Sequence, residues 1–119
     1  MQKQINYGGK ARLKSYSRIK EVFARGKECT RFPLKLRYLE VEDTHFQIAV
    51  AVSKRRFKRA VDRNKIKRLL KVAISESNMR ANQLQSKAII LMYIGKEILP
   101  LETLKNKLNS LLDEMDQEN

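Results

Sequence analysis

The residues best suited to chemistry lie between Lys54 and Lys71. There Lys54, Arg55, Arg56, Lys58, Arg59, Arg63, Lys65, Lys67, Arg68 and Lys71 stand against a single acid, Asp62. Their chemistry is the binding of a polyanion. Advancing roughly 100° per residue along a helix sets Arg63, Asn64, Lys65, Lys67, Arg68 and Lys71 on one broad arc, with Ile66, Leu69, Leu70, Ala73 and Ile74 on the other. One side is made to pack and the other to offer guanidinium, ammonium and amide groups. Like charges one helical turn apart cost about 0.2–0.5 kcal/mol per pair. A polyanion reverses that cost, because each phosphate neutralised releases condensed counterions. Arg can grip a phosphate with two donors, Lys acts as a point charge, and Asn64 can both donate and accept at a base edge or sugar. The segment predicts nucleic-acid binding and does not choose between RNA and DNA.

The whole chain supports the same partner. Across 119 residues, 26 Lys and Arg oppose 13 Asp and Glu, a formal charge of +13. Such an excess keeps copies apart and attracts nucleic acid or an anionic membrane. A membrane span is excluded by length: the longest apolar run, Ala88 to Ile94, is about a third of the roughly 20 residues required. The first residues, Met1 to Tyr7, lack the apolar centre of a signal peptide. The lone Cys29 can form no internal disulfide, which fits a reducing cytoplasm.

Protein-borne catalysis finds little support. His45 sits in a polar turn with no second His or Cys spaced to build a metal site. Glu40, Glu42 and Asp43 cluster at a strand end, and Asp113, Glu114, Asp116 and Glu118 lie near the C-terminus. Neither group makes an acid and base pair, and no glycine-rich phosphate loop is present. A helix-turn-helix reading of the basic helix would need a helix and a short turn before it, whereas Gln47 to Ser53 alternates like a strand.

The elements that must position the basic arc are legible from periodicity. Ser15 or Ser17 caps a first helix carrying Ile19, Val22 and Phe23, and Arg25-Gly26 ends it. Pro33 to Val41 reads as a strand with Leu34, Leu36 and Tyr38 on one face and Lys35 and Arg37 on the other. A turn over 42–46 leads to a strand at Gln47 to Ser53, with Ile48, Val50 and Val52 opposite Ala49, Ala51 and Ser53. The small-residue face is either an ordinary solvated sheet face or a shallow, partly basic floor open to a ligand. The basic helix spans Val61 to Ser77, a polar loop runs to Ser86, and Lys87 to Ile94 is a buried strand. After a turn at Gly95 to Leu99, Pro100 begins a helix whose Leu101, Leu104, Leu108, Leu111 and Met115 form one apolar stripe. Residues 1–11 read as a mobile tail, 12–115 as one domain and 116–119 as an acidic tail. Helices interleaved with strands around one sheet give an α/β sandwich of two layers.

Val52-Ser53-Lys54-Arg55, followed by Arg59-Ala60-Val61-Asp62-Arg63-Asn64-Lys65-Ile66-Lys67-Arg68-Leu69, resembles the signature of the bacterial ribonuclease P protein component. That family carries Arg-Asn-Arg and then Ile-Lys-Arg on a helix. Here Lys65 replaces the second Arg, keeping charge but losing the forked donor geometry. Arg12-Leu13-Lys14, Val22-Phe23, Arg25-Gly26 and the order of elements extend the resemblance over roughly residues 11 to 115.

The resemblance implies a fold like domain 2 of ribosomal protein S5, with a left-handed βαβ crossover where the right-handed form is overwhelmingly commoner. It implies assembly with a large ribonuclease P RNA that uses Mg²⁺ to remove the 5′ leader of precursor tRNA. The protein would be monomeric without RNA and would assist substrate and metal binding, with hydrolysis on the RNA. Carried over residue by residue, Arg12, Lys54, Arg55, Arg59, Arg63, Asn64, Lys65, Lys67, Arg68 and Lys71 would contact that RNA. A cleft of Ile19, Phe23, Lys35, Arg37, Ala49, Ala51 and Ser53 would hold the leader, with Phe23 stacking on a base. Many members place an aromatic where this chain has Ile19, so stacking at that position is expected to differ. A structural RNA-binding protein of ribosomal type is the alternative function.

Overall fold

The computed structural model describes residues 13, 15–41, 47–77 and 87–117, with the side chains of 116 and 117 excepted. The 1–11 tail, Arg12, Lys14, the 42–46 turn with Glu42, Asp43 and His45, the polar loop from Asn78 to Ser86, and Glu118 lie outside the described residues. The elements run α1 (Tyr16–Arg25), β1 (Lys27–Arg31), β2 (Leu34–Glu40), β3 (Gln47–Val52), α2 (Ala60–Glu76), β4 (Lys87–Tyr93) and α3 (Leu101–Gln117).

One sheet organises them, in the order β1-β2-β4-β3. β2 pairs antiparallel with both β1 and β4, and β3 pairs parallel with β4 from Gln47↔Ala88 to Val52↔Tyr93. Thus β3–α2–β4 is a parallel βαβ unit, and the crossover carries the basic helix. β4 lies between β2 and β3 with both faces covered, and all its residues but Met92 are buried. This is why Lys87-Ala88-Ile89-Ile90-Leu91-Met92-Tyr93 reads as a continuous apolar run rather than an alternation.

Two clusters sit on opposite faces of the sheet. The larger joins Leu34, Leu36, Tyr38, Ile48, Ile89 and Leu91 to Ile66, Leu70, Ala73 and Ile74 of α2 and Leu104, Leu108, Leu111 and Met115 of α3. This sheet and helix pair form the two-layer sandwich. Each such buried aliphatic contributes about 1.5–3 kcal/mol relative to exposure, so the apolar arcs of α2 and α3 dictate which way the helices face. The smaller cluster joins Leu13 and Val22 to Ala88 and Ile90, with Ile19, Ala49, Ala51 and Met92 packed around it. Here α1 covers part of the second sheet face.

Two local features differ from the sequence expectation, β1 and the end of α1, and the choice of helix cap is settled between the two serines. β1 was not foreseen, because Lys27-Glu28-Cys29-Thr30-Arg31 has only one apolar residue and no amphipathic signal. It is a strand because it completes a hairpin with β2, which buries Cys29 under α3. Ser15, not Ser17, caps α1, its Oγ accepting from the Arg18 N–H at 3.3 Å. Gly26 ends α1 in an extended conformation, φ −74° and ψ 159°, not in a left-handed one. Its lack of a side chain is needed for closeness: a Cβ there would stand 2.4 Å from the Val22 carbonyl oxygen and 2.9 Å from that of Tyr38.

Candidate nucleic-acid interface

α2 places the basic arc as its periodicity requires. Asn64, Lys65 and Arg68 are exposed, Lys67 and Lys71 are half-buried, and Ile66, Leu70, Ala73 and Ile74 are buried beneath them. Leu69 is half-buried against the core. Because β3 precedes α2 directly through the 53–59 connection, the helix-turn-helix reading is overturned.

That connection is held rigidly although it is rich in cations. Ser53 Oγ accepts from the Arg55 N–H at 3.1 Å, and the Phe57 N–H donates to the Ser53 carbonyl at 3.1 Å. Phe57 turns inward, only 7% exposed, and meets the edge of the Tyr93 ring with centroids 5.9 Å apart. Arg63 closes the segment: its Nη1 donates to the Phe57 carbonyl at 2.8 Å and the Lys58 carbonyl at 2.9 Å. Half-buried, Arg63 spends at least one donor group shaping the loop. Lys54, Arg55 and Arg59 stay exposed on it.

Arg59 occupies the N-cap of α2 and makes no side-chain capping bond. The positive end of the helix dipole meets Asp62 in the first turn, with the loop cations around it.

The second group of expected residues lies around α1 and the sheet face it covers. Ala49 and Ala51 are half-buried beside Ile19, so the small-residue floor is partly roofed by α1 rather than bare. Phe23 is 47% exposed, Ser53 is exposed, and Lys35 is half-buried.

Lys35 and Arg37 are not free cations. Glu28, opposite Arg37 in the β1–β2 register, binds Arg37 at 2.6 Å and Lys35 at 3.5 Å. Arg37 Nη2 also donates to the Phe23 carbonyl at 2.7 Å and the Gly26 carbonyl at 3.3 Å, satisfying the C-terminal end of α1. Its guanidinium carbon lies 5.9 Å from the Phe23 ring centroid. Its Nε is buried with no hydrogen-bond partner among the described residues. The Arg37 hydrogen bond, with lesser help from the charge of Lys35, holds the Glu28 carboxyl below its ordinary range.

Sequence reasoning missed Glu28 because it missed β1. It also missed the inward turn of Phe57, for which the signal was present: Phe57 is the one aromatic within the basic run.

The two groups sit on different faces of the molecule. α2 covers the Ile48 and Val50 side of β3, whereas Ala49 and Ala51 belong to the α1 side. They approach one another at the C-terminal end of β3, where Ser53 leads into Lys54 and Arg55.

Residues 8–116 match the Ribonuclease P family. The chain belongs to that family. Its fold agrees with solved ribonuclease P proteins. The Staphylococcus aureus protein is 22% identical, with 90% of this chain and 96% of that one covered and a TM-score of 0.72. The Thermotoga maritima protein is 18% identical, with 87% and 96% covered and a TM-score of 0.73. No curated protein sequence matches the chain. As a ribonuclease P family member it is a protein subunit of bacterial ribonuclease P, associates with ribonuclease P RNA and serves tRNA processing. Among the described residues, no helix is long and apolar enough to cross a membrane.

Proposed function

We propose that this subunit binds ribonuclease P RNA through α2 and the 53–59 loop, and holds the 5′ leader of precursor tRNA between α1 and the sheet. The observation that carries this reading is the division of α2 into a buried apolar side and an outer side bearing Asn64, Lys65 and Arg68. Lys54, Arg55, Arg59, Lys67, Lys71 and the remaining donors of Arg63 extend that surface. Arg12 precedes Leu13, whose N–H donates to the Ile48 carbonyl of β3 at 2.9 Å, and is assigned to the same RNA.

Phosphate contacts of this kind position an RNA without reading its sequence. Their value is to fix the leader and the scissile bond relative to the RNA, which converts a loosely held substrate into an oriented one. Among the described residues, no group of three His, Cys, Asp or Glu side chains can hold a metal ion. We assign the Mg²⁺ and the hydrolysis to the RNA, in the cytoplasm, with the protein monomeric until the RNA is bound.

Phe23, Ile19, Lys35, Arg37, Ala49, Ala51 and Ser53 are assigned to the leader. Glu28 occupies the cations that leader phosphates would use, so leader binding is an exchange of one anion for another. Glu28→Gln should strengthen binding of a leader-bearing precursor by about two- to fivefold, in keeping with the modest worth of exposed ion pairs. Affinity for mature tRNA should not change. The sign with pH follows from the lowered carboxyl: the Glu28 pairing is present above the ordinary carboxylate range and is lost only as pH falls through the depressed value. Equal changes for precursor and mature tRNA in a titration of both would remove Glu28 from the leader site.

Reconstitution tests the whole reading. Purified protein added to a bacterial ribonuclease P RNA should cleave precursor tRNA at low Mg²⁺, where the RNA alone does not. RNA affinity without stimulation would favour the ribosomal-type alternative, and cleavage by the protein alone would mean a protein nuclease.

A further inference from the structure

At the end of the sheet where β3 and β4 terminate, a depression of 310 Å³ opens between three segments. It is lined by Phe32 and Pro33 from the β1–β2 turn, Gly95, Lys96, Glu97 and Leu99 from the segment after β4, and Arg56. We propose that this depression is a stacking subsite for one unpaired nucleotide of bound RNA, with Phe32 as its platform and Arg56 and Lys96 meeting the flanking phosphates. The proposal rests on the reading of this chain as an RNA-binding subunit, and it places a contact outside both the α2 surface and the α1 cleft.

The depression is built from fixed parts. The Ile94 N–H donates to the Pro33 carbonyl at 2.8 Å, tying the strand end to the hairpin tip. A Cβ on Gly95 would stand 2.8 Å from the Pro33 Cβ and 3.2 Å from Tyr93 Cε1, so only glycine lets these segments approach so closely. The Tyr93 hydroxyl donates to the Glu97 carbonyl and accepts from the Leu99 N–H at 3.1 Å, which fixes the 95–99 segment. The third wall is anchored by Phe57 against Tyr93.

Against these fixed walls Phe32 is 63% exposed at a hairpin tip, an orientation that burial does not explain. Apolar walls beside an exposed aromatic suit a flat base better than an isolated anion, and base–aromatic stacking tolerates every base. The volume lies at the lower end of the roughly 300–1,000 Å³ of small-molecule sites, enough for a single nucleoside. The charge is right as well: Arg56 and Lys96 outnumber Glu97 among the lining residues. Arg56 follows directly on Lys54 and Arg55, so RNA on the 53–59 loop lies within one residue of the opening.

The test uses the full-length protein and two probes of equal length, a single-stranded oligouridine of about 12 nucleotides and a duplex RNA. Phe32→Ala should weaken the single strand by about tenfold and leave the duplex unchanged, since paired bases cannot enter. Phe32→Trp should restore binding, and Arg56→Ala should lower the salt slope by about one. An oligouridine bearing 5-iodouridine should crosslink on irradiation to the peptide containing Phe32. Because Phe32 is exposed, its thermal midpoint serves as the check that the variant is folded. Wild-type binding without that crosslink, or equal losses for both RNAs, would overturn the subsite while leaving the α2 interface standing. Failure of the wild type to bind either RNA would overturn both.

Discussion

Replacing Lys65 and Arg68 together by alanine should lower affinity for ribonuclease P RNA at least about tenfold at 50 mM salt, and the loss should shrink about tenfold by 200 mM. The reasoning is counterion release. Each phosphate contact contributes close to one unit to the slope of log affinity against log salt, and both residues are exposed on the outer side of α2. Two lost contacts remove nearly two units of slope, which over a fourfold change in salt amounts to about one decade in affinity. Folding should be untouched, because neither side chain supports the core and removing two like charges a turn apart relieves a small repulsion. Filter binding across a salt series, beside thermal unfolding of the free protein, measures both quantities. A weaker complex with an unchanged slope would mean that this side of α2 does not meet phosphates.

Arg63 makes the poorer first choice for such an experiment. Its Nη1 holds the Phe57 and Lys58 carbonyls, so its removal would confound RNA contact with loop structure.

Phe57→Ala should be the most destabilising change in the basic segment, costing about 3–5 kcal/mol. That is a large share of the roughly 5–15 kcal/mol that holds a domain together, and the thermal midpoint should fall on the order of 10 °C or more. The ring is nearly fully buried against Tyr93 in the main cluster, so truncation leaves a cavity that fixed neighbours cannot fill. The consequence for function is separate from unfolding. Without its inward anchor, the loop bearing Lys54, Arg55 and Arg59 is left with the Ser53 and Arg63 hydrogen bonds to hold its shape. RNA affinity should therefore fall even at temperatures where the variant is folded, and amide exchange in residues 54–59 should quicken. Saturating RNA should recover part of the lost midpoint by mass action. Phe57→Leu, which keeps most of the buried volume, should retain most of both properties. A variant with wild-type stability would contradict the burial of the ring.

The legible parts of this protein are those in which one element carries its own periodicity. The apolar stripes of α2 and α3 and the alternation of β3 state which side packs, because burial sorts residues within a single helix or strand before any partner is known. β4 was recognisable for the opposite reason, since a strand covered on both faces needs no polar side. β1 carries no such pattern, and its place is set by β2 and α3. With it came Glu28, so the state of Lys35 and Arg37 was invisible from their own alternating positions.

The order of residues by itself determined a basic, one-sided helix, the strands on either side of it, and the family signature Arg63-Asn64-Lys65-Ile66-Lys67-Arg68. Charge and local periodicity are short-range properties, written into neighbours along the chain. Only the tertiary structure decided that Arg37 closes the end of α1, that Glu28 fills the positive pair on the sheet, and that Arg63 and Phe57 shape the loop between the two surfaces. It also brought Phe32, Arg56 and Gly95 around one depression. These are contacts between segments far apart in sequence, and hydrogen-bond geometry and close packing choose them only once the sheet has been assembled.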